Sequence, residues 1–332
     1  MSEYVFRLAL PEDKADILTF MNTHWGSRHP LVNLPDYFSY YYQNGEEHPA
    51  HLNFALCLFP SGEIAALCGF IPSSRSGSDL WISIWCADKR AKGSGLELMS
   101  KMPQLTGASR LSCNNIRPNT IPFYEFLGYT GARMNHFYRL APRDTYKVAR
   151  IQDATILPAG GEGVLRHFED FDALRAAFHP GEAGHPVKDL WYLERRYFHY
   201  PRQQYLVYGG FLGEDCPLLF CLRRVEVEGS FVLRLVDVVG DHRLLPCFGA
   251  ALDRLLGEMQ AEYIDCYCWG VPAQTMAETG FCERLEGGPN IIPHYLTPPL
   301  FENVEYYLFT SDPNEFTMFR ADGDQDRPNI SC

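Results

Sequence analysis

The octapeptide Asp88-Lys89-Arg90-Ala91-Lys92-Gly93-Ser94-Gly95 sets three cations beside two glycines, a composition suited to holding an anion. Glycine lets the backbone approach a bulky anion closely, and Lys89, Arg90 and Lys92 supply formal charge. The elements that must position it flank it directly. Upstream, Leu80-Trp81-Ile82-Ser83-Ile84-Trp85-Cys86 is rich in aromatic and β-branched residues and reads as a buried strand. Downstream, Leu96, Met99 and Met102 recur at helical spacing until Pro103 stops the pattern. A strand that runs into such a turn and then a helix leaves several backbone N–H groups unpaired and aimed at one place. The helix dipole adds partial positive charge there. A diphosphate fits that cradle.

A second constellation follows. The strand-like segment from Ser109 to Asn114 leads to Asn119-Thr120-Ile121-Pro122-Phe123-Tyr124-Glu125-Phe126-Leu127-Gly128-Tyr129. Asn119 is a good helix N-cap, Pro122 falls in the first turn where its missing N–H costs little, and Gly128 suits the position just past the helix. In these two motifs the chain resembles the GNAT (GCN5-related N-acetyltransferase) superfamily. The superfamily's pyrophosphate loop reads Arg/Gln-x-x-Gly-x-Gly/Ala, followed by Asn-x-x-x-x-Tyr-x-x-x-Gly-Phe/Tyr. Both are matched, at Arg90–Gly95 and Asn119–Tyr129.

The resemblance implies an α/β fold with a mixed sheet and acyl-CoA as cosubstrate, acetyl-CoA in the first instance. Arg90, Ala91, Lys92, Gly93, Ser94 and Gly95 would hold the diphosphate, largely through backbone amides. Ile84, Trp85 and Cys86 would lie along the pantetheine arm, where a backbone N–H polarises the thioester carbonyl and stabilises the oxyanion. Asn119 would contact the same arm, and Tyr124 would act as general acid toward the leaving thiolate. Packing of Tyr124 between Phe123 and Phe126 is the alternative. Two departures bear on the acyl group: Trp85 is bulkier than the family's small aliphatic residue, and Pro103 shortens the helix.

At 332 residues the chain exceeds one such domain, so two are expected. Its formal charge of -12 argues against a nucleic-acid or anionic-membrane surface. The amino-terminal residues lack a signal-peptide layout and no stretch reaches membrane-spanning length, so a cytoplasmic protein is expected. Of eleven cysteines, several fall inside apparent strands, among them Cys57, Cys68, Cys113, Cys221, Cys266 and Cys268, and read as reduced core thiols. Cys266-x-Cys268 has no second pair at zinc-site spacing, so no metal is expected.

The order of elements, β-α-α-β-β-β-α-β-α-β, runs from Val5 to Leu140. It gives a first domain over residues 1–145, with its last strand near His136–Leu140, and a linker over 146–162. Residues 163–312 repeat the order, ending with a strand at Glu305–Thr310. In place of the glycine loop they carry Gly240-Asp241-His242-Arg243-Leu244-Leu245-Pro246, and so read as a degenerate second GNAT-like domain. That domain would shape the acceptor site of the first.

The acceptor face would be built from the segment His24-Trp25-Gly26-Ser27-Arg28-His29-Pro30. An amine must be neutral to attack a thioester, and histidine takes a proton near neutral pH, so His24 or His29 is the base candidate; a surface or capping role is the alternative for each. Trp25 and Tyr41, the latter within Tyr40-Tyr41-Tyr42, could stack on a sugar or aromatic acceptor or serve helix packing. Asp237 lies where the second domain would open its cleft, unless it is a strand-end carboxylate. The acidic tail, residues 313–332, reads first as a frayed terminus, then as a fold-back over the acceptor site or the start of an incomplete calcium loop. The expected function is transfer of an acyl group, acetyl being presumed, to a primary amine of a small molecule, with amino sugars or their nucleotide-linked forms ahead of other amines. A non-catalytic acyl-CoA-binding sensor or scaffold is the alternative.

Overall fold

Val5–Ala9 forms strand β1, and Arg7 within it grips Asp13 through its guanidinium at 2.6 and 2.8 Å. That grip turns the chain into helix α1 (Lys14–His24), followed by α2 (Pro30–Asn33) and α3 (Pro35–Tyr42). Both short helices have proline in the first turn, where its fixed φ is already helical. Three strands follow, β2 (Leu52–Leu58), β3 (Ile64–Pro72) and β4 (Asp79–Ala87). Then come α4 (Ser94–Thr106), β5 (Arg110–Asn114), α5 (Ile121–Phe126), β6 (Thr130–Arg133) and β7 (Asn135–Leu140). This computed structural model describes residues 4–25, 27–181 and 184–330.

The second half opens with β8 (Val164–His167), α6 (Phe171–Ala177) and α7 (Leu190–Leu193), which runs on as a π-helical turn to Phe198. A meander of β9 (Leu206–Leu212), β10 (Asp215–Val227) and β11 (Ser230–Gly240) leads through a 3₁₀ segment to α8 (Gly249–Glu258). The rest comprises β12 (Ala261–Trp269), α9 (Ala273–Glu278), β13 (Cys282–Glu283), β14 (Tyr307–Thr310) and β15 (Met318–Phe319). No described helix is long and apolar enough to cross a membrane.

Two mixed sheets result, ordered β1-β2-β3-β4-β5-β14-β6 and β13-β7-β12-β11-β10-β9-β8. They do not follow the sequence halves. Strand β7, expected at the end of the first domain's sheet, pairs with β12 in the second sheet, from Tyr263↔Leu140 to Cys268↔Asn135. Conversely, β14 lies between β5 and β6 in the first. The halves have exchanged one strand each. The segment expected as a linker is also docked: the amides of Lys147 and Val148 donate to the buried Glu262 carboxylate at 2.8 and 2.9 Å.

Helix α4 continues through Pro103 to Thr106 instead of stopping at it. Leu98, Met99 and Met102 are all buried on one side of it, and this packing outweighs the hydrogen bond proline removes. Gly107, in the left-handed region at φ +74°, ends the helix. The described part of the acidic tail, residues 313–330, is not frayed. Asp322, Asp324 and Asp326 are buried, and the tail runs between the two sheets.

Candidate functional site

The loop after β4 is shaped by a buried carboxylate. Asp88 Oδ1 accepts the backbone N–H of Arg90 at 2.8 Å, while Oδ2 accepts its guanidinium Nε at 2.8 Å and lies 2.6 Å from a terminal nitrogen. The Arg90 guanidinium holds the Asp88 carboxyl below the usual carboxylate range. The turn is closed by Ala91 N–H to the Asp88 carbonyl at 3.0 Å and Ser94 N–H to the Ala91 carbonyl at 3.1 Å. Gly93 then adopts φ +85°, a conformation that an L side chain strains to reach. Among the described residues, the amides of Lys92, Gly93, Gly95 and Leu96 have no acceptor. The hydroxyl of Ser94 is buried there without a partner. Lys89, Arg90 and Lys92 are exposed around it. These are the requirements of an anion cradle at a helix start. The role of Asp88 escaped the sequence reading, although an Asp two residues before an Arg is a recognisable turn signal.

Beside the cradle the sheet opens. Strands β4 and β5 pair in parallel only from Asp79↔Arg110 to Trp81↔Ser112, and beyond that they diverge. A bulge at Ser83 shifts the β3–β4 register between Gly69↔Ile84 and Phe70↔Ile82. Ser83 Oγ meets Tyr42 OH at 3.1 Å, and a Cβ on Gly69 would lie 2.9 Å from the Phe54 ring, so only glycine fits opposite the bulge. Ile84 is buried, whereas Trp85 and Cys86 are partly exposed; burial pushes the Cys86 thiol up to about 11.

The Trp85 indole N–H donates to the Gly95 carbonyl at 3.1 Å, and its ring lies 5.8 Å from that of Tyr124. Tyr124 stacks on Phe309 of β14 at 4.0 Å, and burial raises its phenol well above the usual value. Asn119 is exposed in a 3₁₀ turn, and Thr120, not Asn119, caps α5. Loop, opening and tyrosine are thus brought together.

The acceptor candidates divide. His24, at the end of α1, has Nε2 3.9 Å from the Asp88 carboxylate, which ties it to the base of the loop. His29 caps α2: its Nδ1 accepts the Leu31 N–H at 3.3 Å, so Nε2 carries the proton of the neutral ring. Burial lowers its pKa to about 4. Trp25 is about one-third exposed, with its ring 5.3 Å from that of His29; residue 26 lies outside the described residues. Tyr41 is buried, with its hydroxyl 2.7 Å from that of Tyr200. Asp237 opens onto no cleft. It is fully buried, takes the Lys188 ammonium at 2.7 Å on both oxygens, and accepts the Tyr197 hydroxyl.

The second sheet has a matching opening. Strands β11 and β12 pair from Phe231↔Ala261 to Arg234↔Asp265, and a bulge at Val236 stands where Ser83 stands in the first. Here the gap is filled. Strand β15 pairs with β12 (Cys268↔Phe319, Trp269↔Met318), and the Ala321 N–H donates to the Val236 carbonyl at 2.9 Å. At its mouth remains a cavity of about 730 Å³, lined in part by His185, Asp241, His242, Trp269 and Phe316. Asp322 of the tail lies 2.7 Å from the Lys188 ammonium, so one lysine serves two carboxylates. No local pattern marked Lys188, since its partners are far away in sequence.

No family model matches the sequence, and no curated protein is similar to it. Solved structures are similar in fold. A GCN5-related N-acetyltransferase from Anabaena variabilis ATCC 29413 superposes with TM-score 0.53 at 11% identity, over 92% of this chain and 72% of that one. A conserved protein of unknown function from Enterococcus faecalis V583, named a probable N-acyltransferase, superposes with TM-score 0.53 at 8% identity, over 93% of this chain and 72% of that one. Nearly the whole chain therefore carries the GCN5-related N-acetyltransferase fold, laid out twice in tandem with one strand exchanged each way.

Proposed function

We propose that the protein is an acyl-CoA-dependent N-acyltransferase, working at the β4–β5 opening of the first sheet on a primary amine of a small molecule. The cradle supports this most directly: four unpaired amides and the buried, unpartnered Ser94 hydroxyl lie at the start of α4, beside two strands whose pairing has stopped. Residues Arg90 to Gly95 would hold the diphosphate, and Ile84, Trp85, Cys86 and Asn119 would line the arm. The thioester supplies the activated acyl group. On the β5 side of β4, past Trp81, the backbone faces no strand, so its N–H groups are free to stabilise an oxyanion. Tyr124, with its ring 5.8 Å from that of Trp85, would donate the proton to the leaving thiolate. His24 is the preferred base, because the Nδ1 bond of His29 leaves that ring donating from Nε2. The amine then attacks directly with both substrates bound.

Acetyl transfer to an amino sugar, free or nucleotide-linked, is our preferred specific form. A cytoplasmic location is supported by the cysteines, all ten of the described ones being free. Calorimetric titration with CoA and acetyl-CoA, followed by a thiol-release assay over an amine panel led by amino sugars, tests the proposal. Amine-dependent thiol release is expected. Binding without release from any amine would leave the acyl-CoA-binding scaffold, and no binding would remove the site.

A further inference from the structure

The first opening has a floor that belongs to neither of its strands. Gly323, at φ +69°, sits so close to β4 that a Cβ on it would lie 3.3 Å from that of Trp81, the last paired residue. From the other wall, Asn114 Nδ2 at the end of β5 donates to the tail carbonyls of Phe319, Arg320 and Asp322 at 3.0, 3.3 and 3.5 Å. The tail therefore crosses the gap where β4 and β5 begin to part. Around it Tyr42, Trp81, Ile84, Asn114 and Asp322 are all buried.

This crossbar is held firmly. The Lys188 ammonium spans Asp322 and Asp237, and Arg196 donates from Nε and a terminal nitrogen to the Ala321 carbonyl at 3.1 and 3.0 Å. Asp326 is gripped by Arg223 at 2.8 Å and Arg320 at 2.9 Å. Moving the crossbar aside would leave several charges buried without partners, which proteins tolerate poorly. The same tail fills the second opening with β15, so one rigid segment seals one gap and floors the other.

We infer that the tail limits the donor to a short acyl chain, since a longer one extending from the level of Ile84 toward Trp81 meets Asp322 and Gly323. This rests on the proposed acyl-CoA site at the first opening. The fixed tail sets substrate length there, as a wall in a close-packed pocket does.

The test is competition binding of CoA, acetyl-CoA and octanoyl-CoA to the full chain, repeated on Asn114→Ala. Acetyl-CoA should bind about as tightly as CoA, and octanoyl-CoA more than tenfold weaker, on the order of a hundredfold. In Asn114→Ala, which frees the crossbar from one wall, the octanoyl penalty should shrink at least threefold while CoA affinity holds. Octanoyl-CoA binding within tenfold of acetyl-CoA overturns the floor but leaves the cofactor site standing. An unchanged penalty in a folded Asn114→Ala, checked by its melting curve, overturns the assignment to the tail. Failure of CoA itself to bind overturns both readings.

Discussion

Gly93 offers a test in which backbone strain and charge separate. At φ +85°, a Cβ there meets nothing within 4 Å, so Gly93→Ala introduces no clash. Its cost is the left-handed conformation alone, about 1–2 kcal/mol of stability. Gly93→Glu carries the same strain and adds a carboxylate within the stretch that holds four unpaired amides. Hydrogen bonds to a charged acceptor contribute about 1.5–3 kcal/mol each. Losing even two to the new side chain, with repulsion of the diphosphate added, removes at least about 3 kcal/mol of binding, more than a hundredfold at about 1.4 kcal/mol per decade. Calorimetry with CoA at low and moderate salt, beside thermal melts, reads both quantities. Both variants should melt slightly and equally lower, Gly93→Ala should keep CoA affinity within about tenfold of wild type, and Gly93→Glu should lose it, less so as salt screens the repulsion. Equal CoA affinity in the two variants would refute the cradle.

Two further outcomes are expected. Tyr124→Phe should lower kcat by about a hundredfold or more with CoA affinity unchanged, because only proton donation to the leaving thiolate is lost; unchanged kcat removes Tyr124 as the acid. His136 should make stability fall in acid. It is buried, 3.3 Å from Asp265 and 2.9 Å from the Arg284 Nε, and burial lowers it to about 4 from an unfolded value of 6.5. The folded state thus binds fewer protons than the unfolded one, so this contribution is complete above about pH 6.5 and lost as the pH falls toward 4, by about 3 kcal/mol. Chemical denaturation from pH 7 to pH 4 should show His136→Asn losing that much less than wild type; parallel curves would contradict the burial of a neutral ring.

The strand, glycine-bearing turn and helix that form the proposed cradle were legible because everything that makes them is local: strand, cations, glycines and helix lie within about thirty residues. The same holds for α5 and for most elements of both halves. What was hidden depends on partners far along the chain. The segment His136–Leu140 reads as a strand, but nothing in it names its sheet, since pairing with β12 or with β6 asks for the same kind of residues. Asp322 and Asp326 look solvated in sequence; their burial requires Lys188, Arg196, Arg223 and Arg320, of which only Arg320 is nearby. Asp237, which in sequence reads either as a cleft residue or as a strand-end carboxylate, is hidden for the same reason, its partner Lys188 being far away. Pro103 misled through propensity, which the packing of α4 overrode.

The exchanged strands bear on how the molecule is made. As the chain leaves the ribosome, β5 and β6 appear early, yet the slot between them stays vacant until Tyr307–Thr310 is synthesised, while β7 has to wait for β12. Unpaired strand edges of this kind invite association with other chains until the partner strands arrive. Once closed, the two sheets share a single fate, because neither is complete without a piece of the other.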